Sequence, residues 1–233
     1  MRRHLLAAAT ALLLAACASR PPVVAIAPPA PPPAPMPVAP AGVAATFQLP
    51  ARTAAGGWWT PNTGLSQAAA VWHLRAGLNV AALGCRDAAE PTRVAAYNAL
   101  LARHGAGFTA ALRTLSADAR AASGKEWQDA QDDAMTRLYN FWAQPFAGAA
   151  FCAAADAVLA EAALLPPADL PGYAPAALAR LEAPFTAFYD RYAGYQAALA
   201  AWRAGSAAPV QVAAVTPPLS VDPAVFADAA VAR

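Results

Sequence analysis

From Leu178 to Trp202 the large apolar residues recur at steps of three and four without a miss: Leu178, Leu181, Phe185, Phe188, Tyr192, Tyr195, Leu199 and Trp202. These steps place all of them on one stripe of an α-helix. A seam of this length must pack along a long partner, so it commits the chain to helix-on-helix architecture. Pro184 lies inside it. Proline removes one backbone hydrogen bond and crowds the preceding turn, which predicts a kink there. Gly205 ends the helix.

The same rhythm appears upstream. A first helix is expected from the N-cap residue Ser66 to Cys85, with Val71, Leu74, Leu78 and Ala81 on its apolar face. Gly77 and Gly84 weaken it by roughly 1 kcal/mol each, and glycine there allows a neighbour to approach closely. A second helix starts at Pro91 and carries Val94, Tyr97, Leu101, His104, Phe108, Ala111 and Leu115. A third spans 126–142, with an acidic first half suited to a helix N-terminus. A fourth runs from 148 to 164 and is closed by Pro166-Pro167; a linker, 168–174, precedes the seam helix. The fold class is therefore all-α, a bundle of about five helices over residues 66–205. Residues 43–65 read as an extended lead-in in which Thr46-Phe47-Gln48-Leu49 is a short strand or plain extended chain. Residues 206–233 read as a flexible tail, with Val210–Val215 as a strand that would pair with 44–49.

The chain opens with Arg2, Arg3 and His4, an apolar run Leu5–Leu14, then Ala15, Ala16 and Cys17. The run is about half the ~20 residues of a spanning helix, and its order is that of an export signal. Leu14-Ala15-Ala16-Cys17 resembles the lipobox of bacterial lipoproteins. That resemblance implies cleavage after residue 16 and acylation of Cys17; Ala18, in place of Asp, implies sorting to the periplasmic face of the outer membrane. The other reading is an ordinary signal cut after Ala18. Behind Cys17, ten prolines fall between Arg20 and Pro40. They make residues 17–42 a disordered, extended tether whose reach is on the order of 60 Å at about 3.1 Å per residue.

Composition limits the partners. Hydrophobic residues make up 58% of the chain, mostly as alanine. With Arg2 and Arg3 removed, 14 basic residues face 14 acidic ones. A neutral body has no electrostatic footprint for nucleic acid and no polybasic second membrane signal. With Cys17 lipidated, Cys85 and Cys152 remain. Two thiols in an exported protein most simply form one disulfide, the alternative being two unrelated buried thiols.

Few residues suggest chemistry. There is no His-Glu-x-x-His, no Cys-x-x-Cys, no Gly-rich phosphate loop and no Gly-x-Ser-x-Gly, so no metal or cofactor is expected. His104 lies on the stripe of the second helix and is expected to bond a backbone carbonyl; His73 belongs at the edge of the core. Glu126, Asp129 and Asp133 could act as an acid/base pair, since glycan cleavage needs two carboxyls flanking one bond. Trp58 and Trp59 could stack on a sugar, or pack over the end of the bundle. Asn79, Asn98 and Asn140 sit in apolar helical surroundings, where asparagine is a poor choice, and are expected to make interhelical or helix-end bonds, the alternative being a ligand-binding role.

Residues 78–86 (Leu-Asn-Val-Ala-Ala-Leu-Gly-Cys-Arg), 95–104 (Ala-Ala-Tyr-Asn-Ala-Leu-Leu-Ala-Arg-His), 137–142 (Arg-Leu-Tyr-Asn-Phe-Trp) and Phe151-Cys152 resemble segments of uncharacterised exported proteins of Gram-negative bacteria, a likeness covering residues 66–152. It implies an exported helical body with paired cysteines and no particular activity. The function expected is a non-catalytic envelope lipoprotein that binds or scaffolds an envelope protein or peptidoglycan, with self-association through the seam helix as a further option. The alternative is a periplasmic cell-wall glycan hydrolase working through Glu126 with Asp129 or Asp133.

Overall fold

The computed structural model describes residues 34–44 and 46–206. The chain divides into two units, Met1–Ala34 and Pro35–Arg233; the fold below is that of the second. The lipobox, most of the tether, the tail and the strand expected at 210–215 lie outside the described residues.

The second unit is built from helices: α1 Gln67–Gly84, α2 Glu90–Ser123, α3 Trp127–Trp142, α4 Gly148–Ala162 and α5 Leu170–Ser206. About five separate helices are expected from the sequence, and here the structure differs. Glu90–Ala162 runs as one near-continuous helical stretch, interrupted only at its joints, where Gln144 is extended; the described residues therefore hold three helical stretches, with α2, α3 and α4 as segments of the middle one. The joints explain this. Short 3-10 turns, Gly124–Glu126 and Pro145–Ala147, link the segments. Gly124 and Gly148 take φ of +56° and +38° there, so the chain changes direction without an open loop.

α1 is the central element and packs against all four other helices. Its sequence explains its place. It buries Ala70, Val71, Leu74, Ala76, Leu78, Ala81 and Ala82, which covers most of its circumference, and a helix apolar all round belongs inside. Ser66 caps it, its hydroxyl accepting from the Ala69 N–H at 3.2 Å. Gly77 is needed for close packing: a Cβ there would lie 3.1 Å from the Trp142 indole.

The seam of α5 is core as far as Tyr192. Leu178, Leu181, Phe185, Phe188 and Tyr192 are all buried within this chain, while Tyr195, Leu199 and Trp202 are half-buried. α5 starts at Leu170, inside the stretch expected to be a linker. Leu170, Ala174 and Ala177 are fully buried, and that burial outweighs the local breakers. Pro171 falls in the first turn, where its missing N–H costs nothing. Helical conformation continues through Pro175 and Pro184.

Residues 46–65 of the lead-in pack onto the helices. Phe47 meets Phe146, Phe188, Tyr189 and Tyr192 at centroid distances of 5.6, 5.9, 6.2 and 5.0 Å. No strand forms at 46–49. The Phe47 N–H instead closes a turn onto the Ala44 carbonyl, and Arg52 and Trp58 make an isolated antiparallel bridge. The disulfide Cys85–Cys152 is formed, with Cα atoms 5.9 Å apart. It ties the C-terminal end of α1 to the start of α4.

Candidate functional site

One polar ensemble beside a recess is assembled from three distant parts of the chain. It begins with the turn after Trp59. The Thr60 N–H donates to Thr63 Oγ1 at 3.0 Å, and the Asn62 N–H to Thr60 Oγ1 at 3.1 Å. This self-bonded turn holds both side chains toward α5. There the Thr60 hydroxyl donates to Glu182 Oε1, and Asn62 Nδ2 donates to the same oxygen at 3.2 Å. Asn62 Oδ1 lies 2.9 Å from His73 Nδ1 of α1.

Proton positions follow by elimination. The Glu182 carboxylate only accepts, so the Asn62 amide must turn its NH2 to it and its oxygen to His73. That oxygen also only accepts, so His73 carries its proton on Nδ1 and leaves Nε2 as a lone pair. Burial pushes the His73 pKa down to about 4, so the ring is neutral near pH 7. A recess of about 320 Å³ opens beside this network, with Leu65, Ala70, Pro175, Leu178 and Ala179 as its apolar wall and Asn62, Ser66, Gln67 and Glu182 as its polar groups.

A second polar cluster, around Arg93, borders a recess of about 440 Å³ lined by Thr92, Arg93, Asp156 and Leu159, but its charges are already paired. Arg93 is 2% exposed. Its donors are spent on Asp156, Asp87 and the Cys85 carbonyl, at 2.7 to 3.1 Å. The Asp156 carboxylate, more than burial opposes, raises the Arg93 pKa, and Arg93 in turn holds the Asp87 carboxyl below its ordinary value. This cluster is a structural knot beside the disulfide. At the α4–α5 junction, Arg180 forks onto Glu161 with both bonds at 2.6 Å.

Of the residues singled out from sequence, Cys85 and Cys152 are joined, whereas the acidic and aromatic candidates are not brought together. Glu126, Asp129 and Asp133 are all exposed on or beside α3 and do not line the recess. Trp58 is buried on α5, its Nε1–H donating to Asp190 Oδ1 at 3.0 Å and its face covered by the Arg52 guanidinium at 3.5 Å. Trp59 is 57% exposed, so the two rings do not form one platform. Asn98 and Asn140 are exposed, because helical phase turns them away from the core; the interhelical bonds expected of them are not made. Asn79 is half-buried beside the Tyr97 hydroxyl, whose pKa rises with burial. His104 bonds the Ala162 carbonyl through Nε2 at 3.1 Å, as expected of a core histidine.

The asparagine that matters is Asn62, which the apolar-helix criterion passes over because it sits in a turn. The signal available was Pro61-Asn62 between two threonines, a pattern in which side chains bond their own backbone. Among the described residues no group of three or more His, Cys, Asp or Glu side chains is placed to hold a metal ion. No protein-family model, curated protein or solved structure matches the chain.

Proposed function

We propose that the chain is an exported lipoprotein of the cell envelope, held at the periplasmic face of the outer membrane by acyl groups on Cys17. Its helical body binds or scaffolds another envelope component, a protein or peptidoglycan, without catalysing a reaction. The observation that carries this reading is the Cys85–Cys152 disulfide. Such bonds persist in oxidising compartments. The bridge also takes up two of the three cysteines and leaves Cys17, the one in the lipobox, for lipid. Two or more acyl chains give stable anchoring where one does not. The proline-rich stretch behind Cys17 then sets the reach from membrane to body. The polar groups inside the body fasten its segments to one another, which fits a rigid binding module better than a reaction centre.

Metabolic labelling with a fatty acid, followed by membrane fractionation, tests the anchor. The wild-type chain should carry label and sediment with outer membranes. Cys17→Ser should lose both properties and leave the body folded and soluble. A wild-type chain that is unlabelled and soluble overturns the reading.

A further inference from the structure

Three carboxylates among the described residues are half-buried: Glu90, Asp156 and Glu182. Glu90 is paired with Arg86, and Asp156 with Arg93. Glu182 has no cationic partner among the described residues. Its bonds come from two neutral donors, Thr60 and Asn62, and both end on Oε1. Drawing a carboxylate partly out of water is unfavourable unless a counter-ion accompanies it. Neutral donors orient the group but leave its charge whole, and Oε2 takes no hydrogen bond among the described residues. His73, the other titratable member of the network, is neutral near pH 7 and supplies no charge.

The walls say what kind of cation fits. The recess measures about 320 Å³, at the small end of ligand pockets. Leu65, Ala70, Pro175, Leu178 and Ala179 make one side of it aliphatic, suited to a few methylenes, while Ser66 and Gln67 add neutral polar groups at the edge. A guanidinium favours a two-oxygen fork, and here one of the two oxygens already accepts two bonds. A compact ammonium needs only one.

We propose that the recess between residues 60–66, α1 and α5 binds a primary alkylammonium group, the end of a lysine side chain or a free aliphatic amine, with Glu182 as its counter-ion. The methylenes lie along Leu65 and Leu178, and the ammonium meets the open oxygen of Glu182. This gives the binding role proposed above a ligand chemistry, but it rests on the recess and not on the anchor.

Calorimetric titration of the full chain with cadaverine, with a lysine tripeptide blocked at both ends, and with 1-pentanol tests it. At least one amine should bind saturably, and pentanol should not. Binding of both amines assigns the site to a lysine end; cadaverine alone assigns it to a free amine. Glu182→Gln keeps an acceptor for Thr60 and Asn62 but removes the charge, and should weaken binding by about tenfold or more. Ala179→Leu fills the recess from an exposed helix position and should abolish binding while leaving the carboxylate in place. If Glu182→Gln does not fold, as circular dichroism will report, Ala179→Leu carries the test. The proposal is overturned if neither amine binds, if pentanol binds as well as the amines, or if either folded variant binds like wild type. Amine binding by an unacylated chain would remove the lipoprotein reading alone; an acylated chain blind to amines would remove this one alone.

Discussion

The guanidinium of Arg93 forks onto the carboxylate of Asp156, with Nε 2.7 Å from Oδ1 and Nη2 2.8 Å from Oδ2. Nη1 donates to the Cys85 carbonyl at 3.0 Å. A single buried cation therefore fastens α2 to α4 and to the residue that begins the disulfide. Arg93→Ala removes the cation, orphans that carbonyl and leaves a cavity. It should lower the free energy of unfolding by about 3 kcal/mol or more. Arg93→Met keeps most of the volume and should cost less. Denaturant midpoints of the two variants check the order.

His73 makes the fold acid-sensitive in a defined window. Its pKa is about 4 when folded, against 6.5 ordinarily. As pH falls through 6.5 the unfolded chain takes a proton that the folded chain refuses until about 4. Stability is therefore full above the upper value and declines toward the lower one, by about 3 kcal/mol in all. His73→Gln keeps a donor for Asn62 and should flatten the profile between those limits. Asp87 and Glu161 act elsewhere. Arg93 and Arg180 draw their carboxyls down, so their contributions are lost only as pH falls below the ordinary values of 3.8 and 4.5. That lower limb should survive in His73→Gln. Urea midpoints across pH separate the two effects.

The disulfide spans 67 residues of sequence. Constraining the unfolded chain over a loop of that length is worth about 4 kcal/mol in the chain-entropy model. Cys152→Ser should lower stability by that order, and oxidised wild type treated with a reductant should fall to the same level. Addition of reductant to the variant should change little. Equilibrium unfolding with and without reductant measures all three.

Gly77 and Gly105 should respond in opposite directions to alanine. A Cβ on Gly77 would sit 3.1 Å from the Trp142 ring and 3.3 Å from Leu181. That overpacking costs about 1–3 kcal/mol and should exceed the ~1 kcal/mol gain in helix propensity. Gly105 has nothing within 4 Å of the same position, so Gly105→Ala should stabilise by roughly 0.4–1 kcal/mol. Thermal melts of the pair distinguish a packing glycine from an idle one.

Much of the body was legible before its structure. Three-four periodicity placed the helices to within a few residues, because each helix must turn one face inward and the spacing of apolar residues records that face. The seam through Tyr192 is the clearest case. Cysteine parity supplied the disulfide. The sequence places the start of α5 too late because Pro171 and Pro175 are local signals of a linker, whereas the burial of Leu170 and Ala174 against distant residues is not local. The middle helical stretch reads from sequence as three pieces for a similar reason: glycine and proline mark a change of direction but not whether the chain leaves helical structure for more than a turn there.

The recess and its network lay beyond sequence. Thr60 and Glu182 are 122 residues apart, and Asn62 and Glu182 are 120 apart. No periodicity links a turn to a helix at that distance, since which side chains meet depends on how the intervening helices dock. Glu182 carries no local sign that it, unlike Glu90 or Asp156, has no arginine beside it among the described residues. By itself the sequence determined the helical class, the seam and the cysteine pair, since these follow from local spacing and from counting. The tertiary structure alone decided which half-buried carboxylate, among the described residues, was left without a counter-ion, because pairing of charges is settled by three-dimensional neighbours and not by neighbours in the chain.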